Sequence, residues 1–106
     1  MNTSEISNAQ LNVSKHYTVD SINNLINRLT ESGYVSYYNT ETKSIDIEIN
    51  NNEISFNDIK MNVTQWVYQL PVDNESKKIV GNNIDFIFNI TQINTDEGII
   101  VKLYLY

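Results

Sequence analysis

The chain has 106 residues, enough for a single hydrophobic core, and its 41% apolar and 19% charged residues are ordinary for a globular domain. It contains no cysteine, which excludes disulfides, thiolate zinc sites and cysteine nucleophiles. The net charge of −6 argues against nucleic acid or an anionic membrane as a partner, because such binding requires many lysine and arginine side chains. We expect a cytoplasmic protein, in the host cytoplasm if the source is a virus.

The N-terminal region is polar and is followed by the clearest helix signal in the chain. Residues 1–17 carry only isolated apolar side chains, so we expect a flexible N-terminal arm ahead of a single domain over residues 18–106. Thr18–Ser32 predicts a helix, because five apolar residues recur on one face at helical spacing. They are Val19, Ile22, Leu25, Ile26 and Leu29. Thr18 is a suitable N-cap, and Gly33 can take the left-handed conformation that ends a helix.

Two strand-like segments follow this helix. Tyr34–Asn39 is rich in aromatic residues, and Ser44–Asn50 alternates between apolar and polar residues. The inward residues of the second segment are Ile45, Ile47 and Ile49, and the outward residues are Asp46, Glu48 and Asn50. A polar turn joins the two segments, which should therefore form a hairpin.

The segment Ile54–Leu70 carries conflicting signals. Its β-branched and aromatic content favours a strand, whereas its apolar residues fall on one face at helical spacing. Ser55 is a suitable N-cap with Asp58 three residues on, and Pro71 would stop a helix at its end. The prediction is a helix, with a strand as the alternative that the sequence leaves open.

The C-terminal third completes the predicted fold. Residues 71–83 begin with Pro71, are rich in polar residues and end in the run Gly81-Asn82-Asn83, which predicts a loop. Ile84–Ile93 and Ile99–Tyr106 predict two strands joined by a turn in which Gly98 can adopt positive φ. The predicted fold class is α+β, with a four-stranded antiparallel sheet, two helices on one face of it, and the order α-β-β-α-β-β.

The outward side of the last hairpin is half apolar, which is unusual for a solvated sheet face. Its apolar and aromatic residues are Ile87, Ile93, Ile100, Tyr104 and Tyr106. Such a surface is typical of a protein interface, including an interface between two copies of the chain. The alternative is that the N-terminal arm covers it with Ile6, Leu11, Val13 and Tyr17. The sequence leaves both interpretations open.

Titratable residues give no catalytic constellation. Asp46 and Glu48 share the outer face of one strand near Glu53, but no third ligand is evident for a metal, and a solvated face or a basic partner explains them better. His16 is the only histidine and is expected to be solvated in the arm. Glu-x-Lys triplets at residues 41–43 and 75–77 resemble part of the PD…(D/E)xK nuclease core, but both fall in predicted turns. We assign no catalytic residue, metal or cofactor.

These observations favour a small acidic binding protein, without enzymatic activity, that inhibits or neutralises a macromolecular partner. The predicted partner-binding residues are Asp46, Glu48, Ile100, Tyr104 and Tyr106. The expected partner is a protein, in particular a basic nucleic-acid-binding protein, and we favour a phage- or virus-encoded inhibitor of a host defence nuclease of the anti-CRISPR kind. A bacterial immunity protein for a toxin, a small metal-dependent hydrolase and a structural homodimer are the alternatives.

Overall fold

The computed structural model of the chain describes residues 3–49 and 55–105 and has the α+β class that the sequence predicts. The described residues form the helices α1 (Thr3–Ser14), α2 (Val19–Glu31), α3 (Phe56–Gln69) and α4 (Asn74–Asn82) and the single-turn helix α5 (Ile84–Ile87). They also form the strands β1 (Val35–Asn39), β2 (Ser44–Ile49), β3 (Asn89–Thr95) and β4 (Gly98–Tyr104). The strands make one antiparallel sheet in the order β1-β2-β4-β3, which confirms the predicted sheet.

Helix α2 begins and ends where the sequence predicts. The Thr18 hydroxyl accepts the Ser21 N–H and the Ser21 hydroxyl accepts the Thr18 N–H, so both groups at the helix start are satisfied. Gly33 has φ of 96° directly after the helix. Val19 was expected on the buried face but is exposed, because the first turn directs Ser21 inward instead. The Ser21 carbonyl there accepts the indole N–H of Trp66 at 2.7 Å.

The ambiguous segment before Pro71 is a helix, which confirms the prediction made from its spacing. The Ser55 hydroxyl accepts the Asp58 N–H at 3.2 Å and caps the first turn of α3. The Asp58 carboxylate accepts the Tyr34 hydroxyl at 2.8 Å. Burial, together with this hydrogen bond to Asp58, raises the pKa of Tyr34 to about 12. The face that packs is the one that the periodicity indicates, with Ile59, Val63, Trp66 and Val67 buried.

The prediction of a flexible N-terminal arm is wrong for the described part of that region. Residues Thr3–Ser14 form helix α1, whose buried side chains Ile6, Ala9 and Val13 lie on one face. This face packs against α4, and the Asn12 amide donates to the Ser76 hydroxyl at 3.1 Å across the contact. Three small or medium apolar residues in a polar segment give a weak sequence signal, because the helix depends on packing against α4 for its stability.

The region predicted as a loop and a long strand is also different. Residues predicted as a loop contain helix α4, whose first turn is capped by the Asp73 carboxylate accepting the Ser76 N–H at 2.9 Å. The predicted strand from Ile84 starts instead as α5, and only its second half is strand β3. Ile84 and Ile87 are both buried and lie one helical turn apart. Apolar residues at this spacing are compatible with a helix, although their β-branched side chains favour a strand. The order is therefore α-α-β-β-α-α-α-β-β.

The inner face of the sheet forms the core with the helices. The β2–β4 register pairs Ile45 with Leu103 and Ile47 with Val101, and all four side chains are fully buried. They join the buried side chains of α1, α2, α3 and α4 in one cluster. The helical layer thus covers one face of the sheet, and the opposite face, called here the outer face, defines the candidate site.

Candidate functional site

The outer face consists of alternate residues of the four strands, and the strand register aligns them in three rows across the sheet. The first row is Val35, Glu48, Ile100 and Ile93. The second is Tyr37, Asp46, Lys102 and Thr91. The third is Asn39, Ser44, Tyr104 and Asn89.

An ion pair lies at the centre of the outer face. The Lys102 ammonium group donates to both carboxylate oxygens of Asp46, at 2.9 and 3.0 Å. Ser44 donates to one of these oxygens at 2.8 Å, and the Asn39 amide donates to the other at 3.3 Å. Burial alone would raise the pKa of Asp46, but the hydrogen bonds from Lys102, Ser44 and Asn39 outweigh it and lower this pKa below its usual value.

This arrangement differs from the expectation that Asp46 projects into solvent. Asp46 is only 3% exposed, and Lys102, Ser44 and Asn39 surround its carboxylate. An alternating strand pattern predicts which face a residue lies on, but it does not show that a lysine 56 positions away reaches the same point. The Asp46 carboxylate therefore orders the side chains at the centre of the outer face. Neither of its oxygens is free to bind a partner in this conformation.

Apolar and tyrosine side chains surround the ion pair and remain accessible. Val35 is 54%, Tyr37 42% and Ile93 40% exposed, while Ile100 and Tyr104 are partly buried. Of the predicted binding residues, Glu48, Ile100 and Tyr104 lie on this face, and Tyr106 lies outside the described residues. Sequence reasoning missed Val35 and Tyr37; their pairing with Glu48 and Asp46 in the predicted hairpin was the signal that could have identified them.

The N-terminal region does not cover the outer face. Ile6 and Val13, two of the residues expected to do so, are buried in the helical layer on the other side of the sheet. Tyr17 packs in the same layer, where its ring stacks on Trp66 with 5.4 Å between centroids. Ile87, predicted to point outward, is buried in α5. Within residues 3–49 and 55–105, no helix packs over the outer face.

One end of the outer face is acidic. Glu48 and Glu97 line a small depression of about 60 Å³ beside the β3–β4 turn, together with Thr95, Gly98, Ile99 and Ile100. Asp96 lies in the same turn. Gly98 has φ of 142°, so the turn uses the conformational freedom that the sequence predicted for it. None of the three carboxylates forms an ion pair with a described residue, so this end of the face carries net negative charge.

The titratable side chains of the described residues do not form a metal-binding cluster. Among the described residues, no three histidine, aspartate or glutamate side chains stand close enough together to bind a metal ion. The Glu-x-Lys triplets lie apart, one in the β1–β2 turn and the other in the first turn of α4, which corrects the expectation of a turn for the second. No helix in the described ranges combines the length and apolarity needed to cross a bilayer.

Comparison of the chain with protein-family models, with curated protein sequences and with solved structures gave no match.

Proposed function

We propose that the protein is a small, non-enzymatic binding protein that attaches to a protein partner through the outer face and thereby inhibits or neutralises it. The observation that carries the proposal is the exposure of apolar and tyrosine side chains on this face, while α1 packs on the opposite side of the sheet. Aromatic residues are enriched at protein interfaces relative to the rest of the surface, and the two charged groups at the centre of this face already pair with each other. Tyrosine is also enriched among the residues that contribute most binding energy.

The acidic end of the face indicates the chemistry of the partner. Glu48, Asp96 and Glu97 lack ion-pair partners among the described residues, whereas the central Asp46–Lys102 pair is neutral overall. This surface is complementary to one on which arginine or lysine side chains lie beside an apolar patch. Proteins that bind nucleic acid have such surfaces, so we favour an inhibitor of a host defence nuclease, of the anti-CRISPR kind. A bacterial immunity protein for a basic toxin is the alternative, and an adjacent toxin gene would favour it.

Affinity capture with paired baits tests the proposal. The wild-type protein and a Tyr37→Ser, Ile93→Thr variant are immobilised and exposed to a lysate of the source cells. The matched control is Leu11→Thr with Met61→Thr, which removes two apolar side chains that are more exposed than Tyr37 and Ile93 from α1 and α3, on the helical side of the molecule. We expect a partner that wild type and the control retain and the outer-face variant loses. If every retained protein binds all three baits equally, the outer face is not the binding site.

The charge of the partner is tested on the captured protein. Glu48→Lys with Glu97→Lys should weaken binding and reduce its dependence on salt, because two charges that attract the basic partner are reversed. Glu31→Lys with Glu75→Lys makes the same change in net charge on exposed helical positions and should have a much smaller effect. Equal effects of the two variants would show that only the overall charge matters and would contradict a basic partner at this face.

A further inference from the structure

Strand β3 presents a second surface, which is the edge of the sheet rather than its face. In the order β1-β2-β4-β3 it pairs with β4 on one side only, among the described strands. Every second residue of an antiparallel strand directs its N–H and C=O away from the paired neighbour. Five of its seven residues are exposed, including the run from Gln92 to Thr95. A row of backbone groups with this spacing is matched by another extended strand.

Nothing in β3 has the features that normally protect an edge. Its sequence, Asn-Ile-Thr-Gln-Ile-Asn-Thr, has no lysine, no proline and no charged residue. Its register with β4 runs without interruption from Asn89 to Thr95, so no bulge bends the edge away. The opposite edge, β1, is shorter and is flanked by α2, where the Ser36 hydroxyl donates to the Ile26 carbonyl at 3.4 Å.

We infer that two copies of the chain pair through β3 in antiparallel orientation and form one continuous sheet. An axis through Gln92 uses the full length of the strand and places Gln92 opposite Gln92 of the second copy. The remaining cross-strand pairs are Asn89 with Thr95, Ile90 with Asn94, and Thr91 with Ile93. Every pair is neutral, so the like-charge repulsion expected between two chains of net charge −6 is absent along this edge.

The surroundings of β3 also accommodate the second copy. A depression of about 500 Å³ lies at the start of the strand and is lined in part by Phe88, Asn89 and Lys60. When Asn89 pairs with Thr95 of the second copy, the β3–β4 turn of that copy arrives beside Phe88. The same depression contains Lys60, which is partly exposed and pairs with Asp85 at 2.6 Å, so the carboxylates of the turn meet a cation there together with its present counter-ion. The same contact occurs twice, as two-fold symmetry requires.

The dimer would place two outer faces side by side. Residues opposite each other in an antiparallel pair point to the same side of the sheet. Asn89, Thr91, Ile93 and Thr95 of one copy therefore lie on the same side as their counterparts in the other. The inference does not depend on what the outer face binds, but it predicts a surface with two equivalent binding positions.

The molar mass in solution tests the inference. Light scattering across a concentration series should give a mass that rises toward twice the 12.3 kDa of the chain. Gln92→Lys places two like charges opposite each other and should return the mass to that of one chain. Gln69→Lys makes the same substitution at an exposed position on α3 and should leave the dimer intact. Circular dichroism melting curves establish that each variant is folded.

A mixing experiment identifies the strand register. Gln92→Lys and Gln92→Glu are each expected to be monomeric, and their equimolar mixture should regain the dimer because opposite charges now face each other. A wild-type protein that stays monomeric at every concentration would overturn the inference. So would a Gln92→Lys variant that still dimerises, or a mixture of folded variants that does not associate.

Discussion

The inner and outer faces of the sheet are built from alternate residues of the same strands, yet they have opposite properties. On the inner face, aliphatic side chains of β2 and β4 are fully buried against the helices. On the outer face the buried group is an ion pair, and the apolar and tyrosine side chains around it are exposed or partly buried. Strand alternation thus separates two sets of side chains: those of the inner face stabilise the fold, whereas those of the outer face form the proposed binding surface around a fixed ion pair. Substitutions should follow the same division.

The largest loss of stability is expected on the inner face. Leu103→Ala removes a fully buried side chain and should lower the free energy of unfolding by about 3 kcal/mol, through lost burial and the cavity that remains. Urea denaturation at a fixed, low protein concentration measures this change. Ile93→Ala on the outer face is the matched control, with an expected loss below about 1 kcal/mol because the side chain is already partly solvated. Equal losses would break the contrast between the faces.

An intermediate loss is expected at the centre of the outer face. Lys102→Met leaves the Asp46 carboxylate buried without its cation and should cost about 2 kcal/mol, less than a deeply buried pair because Ser44 and Asn39 still donate to it. Asp46→Leu combined with Lys102→Met removes both charges and should recover most of the loss. The same denaturation measurement applies, and a double variant less stable than Lys102→Met would contradict this account.

Acid should destabilise the sheet through the outer face of β2 and β4, because the inner residues that pair between these strands do not titrate. These inner residues are Ile45, Ile47, Val101 and Leu103. The folded-state pKa of Asp46 is lowered, so the contribution of this carboxylate to the free energy of unfolding is complete above the ordinary pKa of 3.8. It is lost as the pH falls through the lower folded-state value. The free energy of unfolding of the wild type should therefore decrease below about pH 4.

The charge-free Asp46→Leu, Lys102→Met variant is the control for the acid prediction. It should show a weaker pH dependence than the wild type. Some dependence remains, because the pKa of Asp73 is also lowered by its hydrogen bonds with Ser76 at the start of α4. Parallel pH profiles for the two proteins would show that the ion pair does not couple to acid stability.

The smallest effect on stability is expected where the effect on binding is largest. Tyr37→Ser replaces an exposed ring and should change the free energy of unfolding by less than about 1 kcal/mol. Its affinity for the captured partner should fall at least about tenfold, as for a tyrosine that contributes strongly to an interface. Isothermal titration calorimetry and denaturation of the same preparation separate the two quantities. A stability loss equal to that of Leu103→Ala would place Tyr37 among the structural residues.

Local signals predicted part of this structure well. Helix α2 was identified because its apolar face, N-cap and terminal glycine agree, and α3 because helical spacing and an N-cap outweigh β propensity. Helices α1 and α4 were missed because each is mostly polar and buries its few apolar side chains against other elements. The capping aspartate at position 73 was the available signal for α4.

The candidate site, too, could be predicted from local signals only in part. Alternation correctly placed Glu48 and Ile100 on the outer face. It could not show that Lys102 reaches Asp46, because the pairing of β2 with β4 joins segments far apart in the chain. Whether the N-terminal region covers this face was likewise decided by tertiary packing, which buries Ile6 and Val13 elsewhere.

The Asp46–Lys102 pair also restricts how the two hairpins can join. If β4 shifted by one residue along β2, the residues of β4 that now belong to the outer face would lie beside the inward isoleucines of β2, because side chains alternate with a period of two. The two charges would then lie on opposite sides of the sheet, and Asp46 would be buried without a counter-ion. A slip by two residues keeps the faces but still separates the charges. We therefore expect the pair to make misaligned sheets costly and so to favour one alignment of the two halves of the chain.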